Sequence, residues 1–398
     1  MERKLAFIFD HNKCIICNAC VDACNKAYGN LNWRKLIVLP MGNVKTALSI
    51  SCNHCDDPKC MEVCPASAFE KNDMGIVTIN KDKCIGCGFC SWACPYEALT
   101  FDKEGTMTKC TFCEDRILTG KGIPYCVEAC PTGALAFGWV DKGEADVSYL
   151  APPTITNPMI VIRKPKEGKI KANVIHEKKE ENYISLLLFT ILSEFALGYS
   201  LFKLPQWDLV SLISLIIGLL PAITHAKVRK RAYRVVFNLK SSWLSREVLF
   251  GGLSILFYLL GLRFSIMYYP ALASLALAVL SSIMIYMLKS RPSWYSADTP
   301  VSFIGSIFSL SLPLAYYFGG SVFFLIGIAI VSAVEIITSF KKYKPRVYMN
   351  ISSIILALLS YFFIYAIFAV FIINVVSEIN YRRRFYEKVL YYGLPTVL

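Results

Sequence analysis

Residues 79 to 98 read INKDKCIGCGFCSWACPYEA, and the four cysteines inside, Cys84, Cys87, Cys90 and Cys94, decide how the rest of the chain is read. The spacing Cys-x2-Cys-x2-Cys-x3-Cys, closed by Pro95, is the bacterial ferredoxin run, in which three thiolates wrap one cubane cluster and the fourth reaches a neighbouring one. Working outward, the same spacing recurs at Cys14, Cys17, Cys20 and Cys24. Two further quartets, Cys52, Cys55, Cys60, Cys64 and Cys110, Cys113, Cys126, Cys130, widen the gap before the third cysteine, as surface-loop insertions would. Pro65 and Pro131 follow their last cysteines.

The four quartets use all sixteen cysteines, enough soft, charged sulfur for four 4Fe-4S clusters. Eight disulfides would need an oxidising compartment, and we read no cleavable signal peptide at the start of the chain; the cysteines are also spaced too tightly. Zinc ribbons share the Cys-x2-Cys pair but not a four-cysteine run with a trailing proline. The pattern points to electron transfer.

The chain has two solvents. Up to residue 182 there are 23 Lys and Arg against 22 Asp and Glu; from 183 onward there are 19 against 7. The excess positive charge thus belongs to the apolar half, which points to a membrane surface and not to nucleic acid. A span needs ~20 mostly apolar residues. Seven segments qualify, roughly 184–202, 209–226, 248–262, 270–288, 301–318, 321–340 and 351–376. Threading them alternately gathers the basic loops, including Lys227, Arg229, Lys230, Arg231, Lys289, Arg291, Lys342 and Arg346, on one side. The positive-inside rule makes that side cytoplasmic, with the cluster domain on it. A count of seven leaves Arg382, Arg383 and Arg384 on the wrong side.

The expected fold is an α+β tandem ferredoxin-like iron-sulfur domain over residues 1–140, a Pro- and Lys-rich linker over 141–182, and an all-α transmembrane helix bundle of about seven spans, possibly eight, over 183–398. The prolines of the linker, Pro152, Pro153, Pro158 and Pro165, discourage helix, and the segment is expected to drape over the membrane domain.

Taken together, FIFDHNKCIICNACVDAC, CNHCDDPKCMEVCP, the opening stretch and KCTFCEDRILTGKGIPYCVEACPTGALAFG resemble the four-cluster electron-transfer subunit of the dimethyl sulfoxide reductase family of molybdenum or tungsten bis-pterin enzymes. LLLFTILSEFALG, HAKVRKRAYRVVFNLKSSWLSREV and IYMLKSRPSWYSADTPVSFIGSIFSLSLP resemble the family's membrane anchor, here fused to it. That family generally has eight spans. The resemblance implies cluster 1 on Cys14, Cys17, Cys20 and Cys130, and cluster 2 on Cys110, Cys113, Cys126 and Cys24. Cluster 3 then falls on Cys52, Cys55, Cys60 and Cys94, and cluster 4, nearest the membrane, on Cys84, Cys87, Cys90 and Cys64. Related nitrate reductase subunits have Trp at the place of Cys87 and hold a three-iron cluster; this quartet is complete.

The resemblance further implies a non-catalytic redox and anchor subunit, standing between membrane quinol and a separate bis-pterin catalytic chain of sulfoxide, sulfur, polysulfide or tetrathionate reductase type. The alternatives are a quinone-reducing subunit of a formate or sulfur-oxyanion dehydrogenase, and an ion-translocating module, which the few intramembrane charges disfavour. His225 is the one histidine of the membrane half, so no haem is expected; Met267 and Met284 are weak substitutes for a second axial ligand. His225 matches the family's quinol position, with Glu194 as proton relay and Arg231 orienting the site. Pairing of Glu194 with Arg231, Arg246 or Arg263 is the competing account. Glu335 also lies inside a span, Glu247 reads as a helix N-terminal charge, and His54 reads as a hydrogen-bonding neighbour of a cluster and not a ligand.

Overall fold

The computed structural model describes residues 3–180, 183–222, 226–340 and 342–397. Strand β1 (Lys4–Asp10) alternates inward Leu5, Phe7 and Phe9, the pattern of a half-buried strand. It pairs antiparallel with β8 (Leu135–Val140), so the first and last cysteine motifs are brought to the same end of one sheet. Helices α1 (Ala19–Tyr28) and α5 (Tyr125–Glu128) pack together on it. The hairpin of β2 (Lys35–Met41) and β3 (Val44–Ile50) leads into an inserted second unit. That unit carries α2 (Lys59–Glu62), β4 (Phe69–Lys71), β5 (Val77–Ile79), α3 (Phe89–Ala93), β6 (Thr100–Phe101) and β7 (Met107–Thr108), with α2 against α3. Helix α4 (Glu114–Leu118) follows. The tandem ferredoxin-like arrangement is therefore nested: quartets one and four build the outer unit, two and three the inner.

The linker does not simply drape. Its β9 (Ile160–Arg163) adds a parallel strand to β1, and β10 (Asn173–Lys178) pairs with β11 (Val389–Thr396), the last strand of the chain. Apolar residues Ile160 and Ile162 face the cysteine-bearing core, which explains why this proline-rich stretch is ordered.

Eight helices follow among the described residues: α6 (Tyr183–Leu201), α7 (Trp207–Ala222), α8 (Trp243–Gly261), α9 (Tyr268–Tyr286), α10 (Asp298–Gly319), α11 (Val322–Ser339), α12 (Lys344–Ser360) and α13 (Ala366–Glu387). Five of them, α6, α8, α9, α10 and α11, are long and apolar enough to cross a membrane. Consecutive helices pack as hairpins, and α10 lies against α6 and α13 at the centre. Small residues allow the closeness: a Cβ on Gly198 would sit 2.2 Å from the Ile307 carbonyl oxygen.

The seventh expected span, 351–376, is in fact two helices broken at residues 361–365. The turn reads YFFIY, with no glycine or proline to mark it. Its five side chains are exposed, as in the aromatic belt of a membrane interface. With α13 running back, Arg382, Arg383 and Arg384 come to the iron-sulfur side, where Arg384 donates to the Lys342 carbonyl at 3.3 Å. The conflict of the seven-span count disappears.

Candidate redox sites

The cysteine loops place sulfur around cavities. Cys14, Cys17, Cys20 and Cys130 line one cavity; Cys52, Cys55, Cys60 and Cys94 line another. Cys24, Cys113, Cys110 and Cys126 face one another electrostatically, as do Cys64, Cys84, Cys87 and Cys90. None of the sixteen is in a disulfide. Among the described residues no three His, Cys, Asp or Glu groups converge on a point as the ligands of one metal ion would. The Cys14 and Cys52 quartets instead each surround a space.

These surroundings fit an iron-sulfur cluster. Burial pushes the Cys24 and Cys94 thiols up to about 11, and Cys87 and Cys110 up to about 12, so without a bound group these buried cysteines favour the neutral thiol, and a cationic iron centre would draw them to the thiolate. Backbone N–H groups are nonetheless aimed at sulfur: Ala68 to Cys64, Met107 to Cys84 and Leu135 to Cys130, each at 3.4 Å. Burial acts upward on Cys130 too, but bonds from Leu135 and Thr132 outweigh it and lower its thiol.

The quartets follow one another in a line. Cys20 of the first faces Cys126, Cys110 of the next faces Cys52, and Cys60 of the third faces Cys90. At the outer end Cys17 is exposed and Ile15 is 62% exposed. The inner end rests on the membrane half. Lys227 N and Val228 N donate to the Gly86 and Ile85 carbonyls at 3.4 and 3.1 Å, and Asn238 Nδ2 donates to the Cys64 carbonyl at 2.8 Å. Gly86 is needed there: at φ +70° an added Cβ would meet the Gly105 carbonyl oxygen at 2.4 Å and Lys227 Cβ at 3.0 Å. Ser290 Oγ donates to the Trp92 carbonyl at 2.6 Å, and Trp92 lies edge-on to Trp294.

The expected quinol residues are dispersed. His225 lies outside the described residues. Arg231 donates to the Lys81 carbonyl at 2.6 Å and lies 3.4 Å from Asp82, so it fastens the basic loop to the iron-sulfur domain. Glu194 is fully buried and takes two bonds from Arg382, at 2.7 and 2.8 Å, and not from Arg231, Arg246 or Arg263. Glu247 is buried beside Ser282 and Tyr286, deeper than a solvated helix-end charge. Glu335 lies 3.0 Å from Arg346. His54 accepts from Val77 N at 3.0 Å, stacks on Phe112 and lines the Cys52 cavity. Burial, with Lys109 and Arg34 nearby, holds it neutral.

Two residues escaped the sequence reading. Arg34 is buried, bonded to Ser49 and Ser51 at 3.1 and 2.9 Å, and faces Cys20, Cys24, Cys110 and Cys126. Lys109 lines the Cys52 cavity and donates to the Val77 carbonyl. A lone Arg and a Lys in polar sequence carry no signal of burial; only the adjacency of Lys109 to Cys110 hinted at it.

The comparisons with known proteins agree with this site. Residues 44–140 match the 4Fe-4S dicluster domain. Over 194 residues the sequence is 37% identical to a component of the anaerobic dimethyl sulfoxide reductase of Haemophilus influenzae, covering 43% of this chain and 94% of that protein. It is 38% identical over 175 residues to a component of the sulfite dehydrogenase of Allochromatium vinosum, 36% of this chain and 72% of that one. It is 37% identical over 169 residues to the formate dehydrogenase iron-sulfur subunit of Wolinella succinogenes, 35% and 84%. With cysteine quartets that fit 4Fe-4S clusters, and near-complete coverage of such a relative, the protein belongs to the family of electron-transfer iron-sulfur subunits that serve molybdenum bis-pterin oxidoreductases.

Proposed function

We propose that this chain conducts electrons between membrane quinol and a separate molybdenum or tungsten bis-pterin catalytic subunit, through four clusters. The observation that carries the reading is the linear order of the quartets, with one end gripped by loops of the membrane half and the other exposing Cys17 and Ile15. The ligand sets are those the family resemblance implies: Cys14, Cys17, Cys20, Cys130; Cys24, Cys110, Cys113, Cys126; Cys52, Cys55, Cys60, Cys94; and Cys64, Cys84, Cys87, Cys90. A 4Fe-4S cluster, when bound, takes up and releases one electron.

The quinol site is placed where α6, α7 and the basic loop after it meet beneath the Cys64, Cys84, Cys87, Cys90 quartet. Quinol oxidation releases protons as well as electrons, so a base must stand beside the electron acceptor. His225 serves as that base, Glu194 passes the proton into the bundle, and Arg231 holds the loop against Lys81 and Asp82 instead of orienting the ring. All eight helices span the membrane, with the basic loops and the iron-sulfur half on the cytoplasmic side. The membrane half holds no haem. The chemistry of the catalytic subunit and the direction of flow lie outside this chain. The sulfite and formate dehydrogenase relatives favour a second reading, delivery of electrons to quinone.

The test is His225→Ala. Expected is slower reduction of the clusters by quinol, with about sixteen irons per chain retained and full reduction by dithionite. Quinol reduction at the wild-type rate would reject the site.

A further inference from the structure

The membrane half contains more buried charge than its hydropathy suggests, and it is gathered in one place. Glu194 of α6, Glu335 of α11, Arg346 of α12, and Glu378 and Arg382 of α13 are each at most 1% exposed. Arg382 binds Glu194; Arg346 lies 2.8 Å from Glu378 and 3.0 Å from Glu335. Asn350 Nδ2 donates to Glu335 at 3.0 Å, and Arg346 donates to Ser302 Oγ at 2.7 Å. Gly305 gives Glu335 its room, since a Cβ there would lie 2.3 Å from Glu335 Oε1.

Three carboxylates share two guanidiniums. A net charge in such an interior is strongly disfavoured, and the ordinary remedy is to neutralise it. The hydrogen-bond inventory supports this. Ser306 Oγ lies 2.6 Å from Glu378 Oε2 and 2.7 Å from the Ser302 carbonyl oxygen, yet a hydroxyl has one proton to give. Both contacts are satisfied if Glu378 carries a proton and donates it to Ser306. In addition, Arg382 Nη1 and Nε and Arg346 Nε, all fully buried, have no hydrogen-bond partner among the described residues, so part of the donor capacity within the chain of charges is unused.

We propose that the Glu194, Glu378 and Glu335 carboxylates, bridged by Arg382 and Arg346, form a buried proton-binding site that holds one proton and exchanges it with the iron-sulfur side of the bundle. The route runs past Ser302 to Tyr381, whose ring lies 4.0 Å from the Arg346 guanidinium and whose hydroxyl donates to Asp298 at 2.8 Å. Asp298 lies 3.5 Å from the exposed Lys342. The other ionisable groups facing this chain of charges among the described residues are Tyr386 and Tyr286, joined hydroxyl to hydroxyl at 2.7 Å, with Glu247 beyond them. Glu194 is common to this site and to the quinol reading, but proton binding here does not require quinol.

The test is infrared spectroscopy of the full chain with its clusters assembled. Wild type is expected to show a protonated carboxylic acid band that shifts in heavy water. Any one of Glu378→Gln, Glu335→Gln or Glu194→Gln removes the surplus charge, so each is expected to abolish that band. A band unchanged in all three, or none in wild type beyond that lost in Glu247→Gln, would overturn the site. Tyr381→Phe and Asp298→Asn should keep the band and slow its deuterium exchange; unchanged exchange would overturn the route. Circular dichroism of the bundle, with iron content for the cysteine-bearing half, reports folding of each variant, and three separate carboxylates keep the test open if one fails to fold. Failure of His225→Ala to affect quinol oxidation would leave this result standing.

Discussion

Arg34 is a permanent cation set between thiolate quartets, with Ser49 linking it to Cys20 at 3.3 Å and Phe7 covering its guanidinium at 4.2 Å. A nearby positive charge favours the more negative, reduced state of a cluster. For a unit charge several ångströms away at an effective dielectric of about 20, the interaction is on the order of 2 kcal/mol. That corresponds to roughly 90 mV for a one-electron couple. Arg34→Met should therefore lower the midpoint potential of the centre on Cys24, Cys110, Cys113 and Cys126 by up to that amount, while Arg34→Lys keeps most of it. Potentiometric titration followed by electron paramagnetic resonance measures both; equal shifts in the two variants would contradict the charge argument. Loss of a buried guanidinium also leaves Ser49 and Ser51 short of a donor, costing about 1–3 kcal/mol in stability.

At the scale of elements, the turn between α12 and α13 carries the topology. An epitope inserted after Phe363 and one appended after residue 398 are expected on opposite faces of sealed vesicles, read by antibody access; the same face would reject eight spans. The cysteine quartets and six of the helices, α6 to α11, were legible because their signals are local: ligand spacing within a loop, and long apolar runs. The break at 361–365 was not legible, since an aromatic turn at an interface is as apolar as the helices it joins. Helices α12 and α13 were blurred for the opposite reason, because Arg346, Glu378 and Arg382 lower their hydropathy while pairing inside the bundle. Partnership across helices cannot be read from one strip of sequence. The same limit hid the partner of Glu194, which stands 188 positions away.

At the scale of the whole molecule, β11 ties the two halves together. It pairs with β10, its Tyr392 N donates to the Ser290 carbonyl at 2.9 Å, and Leu394 is buried in the core of the iron-sulfur half. A chain stopped after Lys388 should keep its iron but expose the linker between Lys164 and Lys179 to trypsin and reduce its clusters more slowly with quinol. An unchanged digestion pattern would show that the strand is dispensable. Removing the clusters with an oxidant and chelator should, by contrast, unfold the small nested units while leaving the helical signal of the bundle, because few apolar residues per cluster remain to hold them. Circular dichroism and proteolysis separate these outcomes.

The basic loop, the linker and β11 all belong to the same polypeptide as the quartet they surround. Docking that two separate subunits would achieve only in proportion to their abundance is here a unimolecular event, governed by the effective concentration that the tethers impose. Dilution does not loosen it, and every membrane half is supplied with one conductor, in fixed stoichiometry. On the proposed function, a cell making this protein would have only to match its amount to that of the catalytic partner, and the remaining equilibrium open to regulation would be at the far end of the line, where Ile15 and Cys17 are exposed.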